Sequence, residues 1–485
     1  MPPRSPLPPT LDLELDSTAL RALLDRVGER LGAHLDSLPT QPMHANEGGQ
    51  KLARSLREPL PEEGAPFERL LALLFDRVIP RSLNTASAGY LGYIPGGGLP
   101  LAGIADLITD VTNRYVGIFL GAPGLVQLEV TAVAWFASLL GLPSTAGGFL
   151  TTGGSLANFS AVLTARRERL PPDFLRGTLY VSEDAHHSIH KAAMLAGFPH
   201  ERVRVLPTDE HFRLRPGVVE QAIAEDRAAG LQPFLLVGSA GTTATGAVDD
   251  LPGLAELASR EGLWFHVDAA YGGFFTMTER GREALRGIER ADSVTLDPHK
   301  SLFLPYGTGC LVVRDVGALR RAHAMTASYL PPMQTQEDFV DLCELSPELS
   351  RESRGLRVWL PLKLYGASTF RKSLDEKLDL ARWAHRRLGE VPGVELMSEP
   401  TLSLFTFRLR PLSADSPVEV EDARNRRWLR AVNARNRVLL TGVEVQGRFL
   451  ARLCVLSFRT HLDRMEQAIE DLEAGLGEVD GPESG

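Results

Sequence analysis

Cysteine is scarce: 485 residues carry only Cys310, Cys343 and Cys454. Three thiols so far apart exclude a disulfide framework and offer no paired metal-ligand spacing, so a reducing, cytoplasmic setting is expected. A long apolar run is also missing. The longest, roughly Val130 to Leu142, is closed by Glu129 and Pro143 and falls short of the ~20 residues a bilayer helix needs, which predicts a buried helix and no membrane partner. Met1 to Pro9 is proline-rich without the basic-then-apolar layout of a secretory leader, so no export is expected. Basic excess is absent as well. With 52 Lys and Arg against 61 Asp and Glu the net charge is -9, which provides no field for a phosphate backbone and argues against nucleic acid as a partner. No Gly-x-Ser-x-Gly elbow occurs, which weighs against a Ser/His/Asp hydrolase.

What is present is ordinary globular material, 44% hydrophobic and 23% charged, in a chain long enough for two or three lobes. Helix-spaced apolar residues (Leu20, Leu23, Leu24, Val27, Leu31, then Leu70, Leu71, Leu74, Val78) predict an N-terminal helical segment over residues 1–85. From about 145 to 315, β-rich runs alternate with helical stretches: Thr178 to Val181, Val203 to Leu206, Phe234 to Val237, Trp264 to Val267, Val294 to Leu296 and Cys310 to Val313. Such alternation predicts βαβ units in a mainly parallel sheet, with ligands at the carboxyl ends of its strands. A large domain over 86–370 and a smaller αβ domain over 371–485 complete the expected organisation. The small domain should carry strands near Leu402 to Phe407 and Ala451 to Phe458 and a last helix from about Asp463.

Polar motifs fall at the predicted strand ends. Asp-Pro-His-Lys (297–300) follows the run Ser293 to Leu296 and places Lys300 at the mouth of the sheet. Taken alone, such a lysine is usually a solvated surface group. Trp-Phe-His-Val-Asp-Ala-Ala-Tyr-Gly-Gly (264–273) carries an apolar strand straight into Asp268; a carboxylate there needs a cationic partner, and a protonated pyridine nitrogen is one. A helix cap or an arginine pair is the plain alternative. Thr151-Thr152-Gly153-Gly154-Ser155 precedes helix spacing at Leu156, Phe159, Val162 and Leu163, where free amides and a hydroxyl suit a phosphate, although a simple capped turn uses the same residues. The pattern is neither a Walker loop nor a dinucleotide fingerprint. His186, just past a strand, is placed to stack on a flat ring; with His190 it also has the i, i+4 spacing of a zinc pair, but no third ligand is spaced to complete a site, so no metal is expected and a zinc hydrolase is the distant alternative. The glycine-rich loop Gly89 to Gly98, with Tyr90, Tyr93 and Ile94 interleaved, suits a pocket lining or an ordinary surface loop.

In this order, Gly-Gly-Ser, Ala-His-x-Ser, Gly-Thr-Thr, His-Val-Asp-Ala-Ala-Tyr and Pro-His-Lys resemble the group II pyridoxal 5'-phosphate (PLP) dependent amino acid decarboxylases, over about residues 60–475. The resemblance implies an α/β fold of PLP fold-type I, aspartate aminotransferase-like, with a large mainly parallel seven-stranded sheet, and a homodimer whose two chains share each active site. It implies Lys300 as the lysine that binds the cofactor covalently, Asp268 against the pyridine nitrogen and His186 on the ring. Gly154 and Ser155 would hold the phosphate, Thr243 would lie beside the ring, Ala270 on its other face, and His299 would flank the lysine. Tyr329, in a stretch from His323 to Arg354 resembling the family's mobile loop, matches the tyrosine that protonates Cα after carbon dioxide leaves. An aromatic amino acid of the tryptophan or tyrosine type is the favoured substrate, with Tyr90, Tyr93 and Ile94 in its pocket; an acidic or diamino acid, or a decarboxylation-coupled aldehyde synthase, is the alternative. The sequence departs from animal aromatic decarboxylases in lacking a His-Pro pair within Ala86 to Pro95, in Ile94 where they have phenylalanine, and in Gly117 where they have an aromatic side chain.

Overall fold

The computed structural model describes residues 13–325 and 339–479. Seven strands form the principal sheet: β1 (Gly147–Thr151), β2 (Gly177–Ser182), β3 (Val203–Leu206), β4 (Gln232–Ser239), β5 (Trp264–Asp268), β6 (Ser293–Leu296) and β7 (Gly309–Val313). Their spatial order is β1-β7-β6-β5-β4-β2-β3. Strands β3, β2, β4, β5 and β6 run parallel, while β7 is antiparallel to both β6 and β1. Every β-rich run read from the sequence in this region is a strand here. Side chains alternate between two apolar layers, as a pleat covered on both faces requires: Tyr180, Leu236, Phe265, Val267 and Val312 enter one cluster, while Leu179, Val181, Leu235, Val237 and Leu311 enter the other. The Leu251–Glu261 helix closes the first face through Leu254, Ala255 and Ala258. On the second face the Gly154–Arg169 helix lies close, because Ala157, Ala161 and Ala165 keep that side thin.

Of the run Val130 to Leu142, the part up to Leu139 belongs to the Pro123–Leu139 helix, whose Val133, Phe136 and Ala137 are buried, as its apolar length predicts. A smaller lobe has four antiparallel strands, β8 (Val394–Leu396), β9 (Leu404–Leu409), β10 (Thr441–Val445) and β11 (Arg448–Cys454), in the order β10-β11-β9-β8. Trp428, Met465 and Leu472 pack beneath them, and the Trp428 indole donates to the Leu472 carbonyl at 2.9 Å. Leu91 joins this lobe's core, its N–H donating to Leu439 O and its carbonyl accepting from Cys454 N. Residues 89–98 therefore strap the smaller lobe to the turn that carries Lys300. A side chain at Gly96 would place Cβ 2.1 Å from the His299 carbonyl oxygen, so only glycine admits this approach.

The N-terminal Ser17–Ser37 helix is started by Asp16, whose carboxylate accepts from Ala19 N at 2.7 Å. Only Ala22 on it is buried, and Leu24, Leu31 and Leu35 remain exposed. The Pro100–Thr112 helix likewise leaves Ile104, Leu107, Ile108 and Val111 exposed.

Candidate active site

Register brings the motifs together. Ser239 at the end of β4 lies opposite Asp268, and Asp268 lies opposite Thr295, so three parallel strands deliver their carboxyl ends to one place. A cavity of about 310 Å³ opens there. Gly154, Ser155, His186, Thr243, Asp268, Ala270, His299 and Lys300 all line it, although they span almost 150 residues of chain. A larger cleft, about 500 Å³, lies between the first helix and residues 75–86; none of the motif residues reaches it, and the chemistry belongs to the smaller cavity.

Lys300 sits on a single turn, Pro298–Ser301, directly after β6. Its Nζ lies 3.0 Å from Asp297 Oδ2, and His299 Nε2 lies 3.6 Å from the same oxygen. The other oxygen, Oδ1, is buried with no hydrogen-bond partner among the described residues. Burial holds the His299 imidazole below its usual value despite the neighbouring carboxylate, and its Nδ1 lies 2.7 Å from the Thr308 carbonyl. Since that carbonyl can only accept, the ring proton sits on Nδ1.

Asp268 accepts from Ala270 N at 3.1 Å and from Asn158 Nδ2 at 2.9 Å. It forms no ion pair with a cationic side chain among the described residues. An anion so placed suits a positively charged ligand atom. The Gly154–Arg169 helix opens on Gly153 with no side-chain cap, which leaves the amides of its first turn directed at the cavity's edge as donors for an anion. A Cβ on Gly154 would stand 3.0 Å from Asp297 Oδ2 and 3.4 Å from Ala270 Cβ, so the cradle is shaped by the absence of a side chain. One cationic acceptor site, one anion cradle and one amine between them fit a protonated pyridine that bears a phosphate and an aldehyde.

His186 lies in the turn before the Ser188–Leu195 helix, whereas His190 is on that helix, so the i, i+4 spacing does not put them on one helical face as the zinc alternative needs. Burial lowers the His186 pKa. Thr243 is carried by the turn after β4, which an isolated Ala240–Val248 bridge closes. At Gly241 φ is +99° and a Cβ would meet the Tyr271 ring at 2.6 Å, so glycine is required.

Other expected residues lie apart. Tyr90, Tyr93 and Ile94 do not line this cavity: Tyr90 packs with Met43 and Leu439, Ile94 joins the large core, and Tyr93 is 55% exposed. Tyr329 lies outside the described residues. Ser188, Asp297 and Tyr271 also line the cavity; they lie inside the quoted motifs but were given no role there, and Asn158 lies outside every motif. A signal existed for Asn158, an amide one turn after Gly154 on the helix side that buries Ala157, Ala161, Val162 and Ala165.

Residues 60–410 match the family model described as the pyridoxal-dependent decarboxylase conserved domain. An aromatic-L-amino-acid decarboxylase of Bacillus atrophaeus is 32% identical over 469 residues, covering 96% of this chain and 98% of that protein. A phenylacetaldehyde synthase of Arabidopsis thaliana is 26% identical over 458 residues, covering 91% and 92%. Among solved structures, that of Oryza sativa TDC with PLP and tryptamine superposes with a TM-score of 0.92 at 26% identity, over 97% of this chain and 100% of that one.

Proposed function

This chain belongs to the pyridoxal-dependent decarboxylase family, and from that premise we propose that it converts an aromatic L-amino acid to its amine and carbon dioxide. It is a PLP-dependent amino acid decarboxylase with the fold-type I architecture. The observation that carries the reading is the meeting of Lys300, Asp268 and the open Gly154 helix end in one cavity. The aromatic preference rests on the end-to-end likeness to the Bacillus enzyme and to a tryptamine-bound structure.

When bound, PLP supplies an electron sink for the pair released as the Cα–carboxylate bond breaks. The chain's residues divide the remaining work. Asp268, held in place by the Asn158 amide and the Ala270 N–H, would hold a proton at the ring nitrogen. Gly154 and Ser155 would bind the phosphate through free amides, with His299 beside them. Neutral His186 and Ala270 would flank the ring, and Thr243 its edge. Asp297, 3.0 Å from the Lys300 amine, would orient it for holding the cofactor. Tyr329 would return a proton to Cα, the step that favours amine over aldehyde.

The apolar stripe Ile104, Leu107, Ile108 and Val111, with Leu24, Leu31 and Leu35, supports a homodimer in which a second copy covers these faces. Tyr93, exposed in the single chain, is proposed to reach the substrate pocket of that assembly, with the buried Tyr90 and Ile94 supporting its loop from within the chain. Three unpaired cysteines, two of them buried, support a cytoplasmic location, and no described helix is long and apolar enough to cross a membrane.

A panel of amino acids assayed for amine and carbon dioxide tests the activity; aldehyde with peroxide as the main products would favour the synthase reading, which the Arabidopsis relative supports. In Lys300→Ala, turnover and the lysine-linked visible absorbance should both vanish, and full activity there would overturn the assignment.

A further inference from the structure

The hydrogen bonds around Asp268 have a direction, and it passes through a single amide. The Trp264 indole can only donate, and does so to the Ser293 hydroxyl at 2.8 Å. That hydroxyl's own proton then has His266 Nδ1, also 2.8 Å away, as its acceptor. A neutral His266 therefore carries its proton on Nε2 and donates it to Asn158 Oδ1 at 3.0 Å. The ring is completely buried, and burial pushes it down to about 4, which keeps it neutral at neutral pH. Thr295 donates to the same amide oxygen at 2.6 Å.

Two donors on Oδ1 orient the amide. Its NH2 group is left to serve Asp268 Oδ2 and Ser188 Oγ, each at 2.9 Å. The flipped amide would set its oxygen against the Asp268 carboxylate and its NH2 against two donors, so this network selects one orientation. Ser188 passes the direction on. Having accepted from Asn158, its hydroxyl donates to His186 Nδ1 at 2.7 Å, and its backbone N–H faces the same nitrogen at 3.3 Å. A proton on Nδ1 would confront both, so the His186 proton belongs on Nε2.

We propose that Asn158 is a positioning residue that serves both sides of the cofactor ring: one amide N–H holds the Asp268 carboxylate, and the other, through Ser188, sets His186 as the neutral Nε2–H tautomer. The assignment of Asp268 and His186 to the ring rests on the proposed function; the tautomer follows from the protein alone. A single buried side chain thus links the group that keeps a proton on the ring nitrogen to the group on the ring's face. Because Asn158 is 1% exposed and its amide carries both contacts, the two arms depend on it together.

The test uses the full-length chain labelled with 15N-histidine, read by nitrogen NMR with and without PLP, and a PLP titration of each variant. Wild type should show a bare Nδ1 and a protonated Nε2 at His186, the resonance being assigned by its loss in His186→Gln. Ser188→Ala leaves only the longer 3.3 Å backbone contact to Nδ1 and should raise the share of the Nδ1–H tautomer at His186, while PLP affinity stays within about twofold of wild type. Asn158→Ala should raise the same share and weaken PLP about tenfold, the equivalent of one charge-assisted hydrogen bond. A His186 protonated on Nδ1 in wild type overturns the proposal, as does an Asn158→Ala chain that keeps one tautomer and wild-type affinity. If Asn158→Ala does not fold, Ser188→Ala decides alone, and an unchanged tautomer there overturns it. A wild-type chain that binds no PLP but shows the Nε2–H tautomer refutes the proposed function and leaves the hydrogen-bond inference standing.

Discussion

Replacing Asp249 by asparagine separates two opposing effects that one buried carboxyl combines. Asp249 accepts from Leu214 N and Ser239 N, both at 2.7 Å, and so pins the turn that carries Thr243 into the cavity. Complete burial pushes the carboxyl up from 3.8 to about 7, against the pull of those two N–H donors. Between about pH 4 and pH 7 the folded chain then keeps a proton that the unfolded chain has released. With one more proton in the folded state, stability falls as pH rises, by ~1.4 kcal/mol per pH unit and about 4 kcal/mol across the window. Asparagine has no such slope. At the acid end the variant should be the less stable chain by roughly 1–3 kcal/mol, because its NH2 group faces one of the two buried donors and leaves it unpaired. Towards pH 7 the gap should close and then reverse. Urea unfolding of both proteins from about pH 4 to pH 8 measures the difference directly, and other titrating groups, among them His266, cancel in it. A difference that stays flat across the window would refute the reasoning, since it would mean that the carboxyl is ionised throughout.

Gly154→Ala puts a Cβ 3.0 Å from Asp297 Oδ2, which must give by a few tenths of an ångström beside Lys300; the side chain narrows the anion cradle and should weaken PLP binding about tenfold or more in an absorbance titration, and overpacking of roughly 1–3 kcal/mol should lower the melting temperature of the cofactor-free protein, while unchanged affinity would count against the cradle. Tyr329→Phe should lower amine yield and raise aldehyde, as chromatography of the products would reveal; unchanged amine counts against the proton-return role. Ile108→Glu sets a charge in the exposed apolar stripe and should shift the sedimenting species from dimer to monomer, and a dimer of wild-type strength would place the interface elsewhere.

Local chemistry determined much of this protein. A strand's alternation and the turn residues after it are properties of adjacent positions, which is why the runs ending at Asp268 and Leu296 were legible. The rule that parallel strands share their carboxyl ends then brings Lys300, Asp268 and Gly154 into one neighbourhood before any coordinates exist. The partners of those residues were not legible. Asn158 lies 110 residues from Asp268 and 137 from Thr295, and only the seating of the Gly154–Arg169 helix on the sheet makes them neighbours. The directions of loop side chains were also decided late: Tyr93 and Ile94 are consecutive, yet Tyr93 turns out at φ +48° while Ile94 is buried in the large core. Periodicity says which face of an element is apolar, because that depends on one chain segment and water. Which polar groups meet across the core depends on how two separately formed surfaces pack, and that is information the folded structure alone contains.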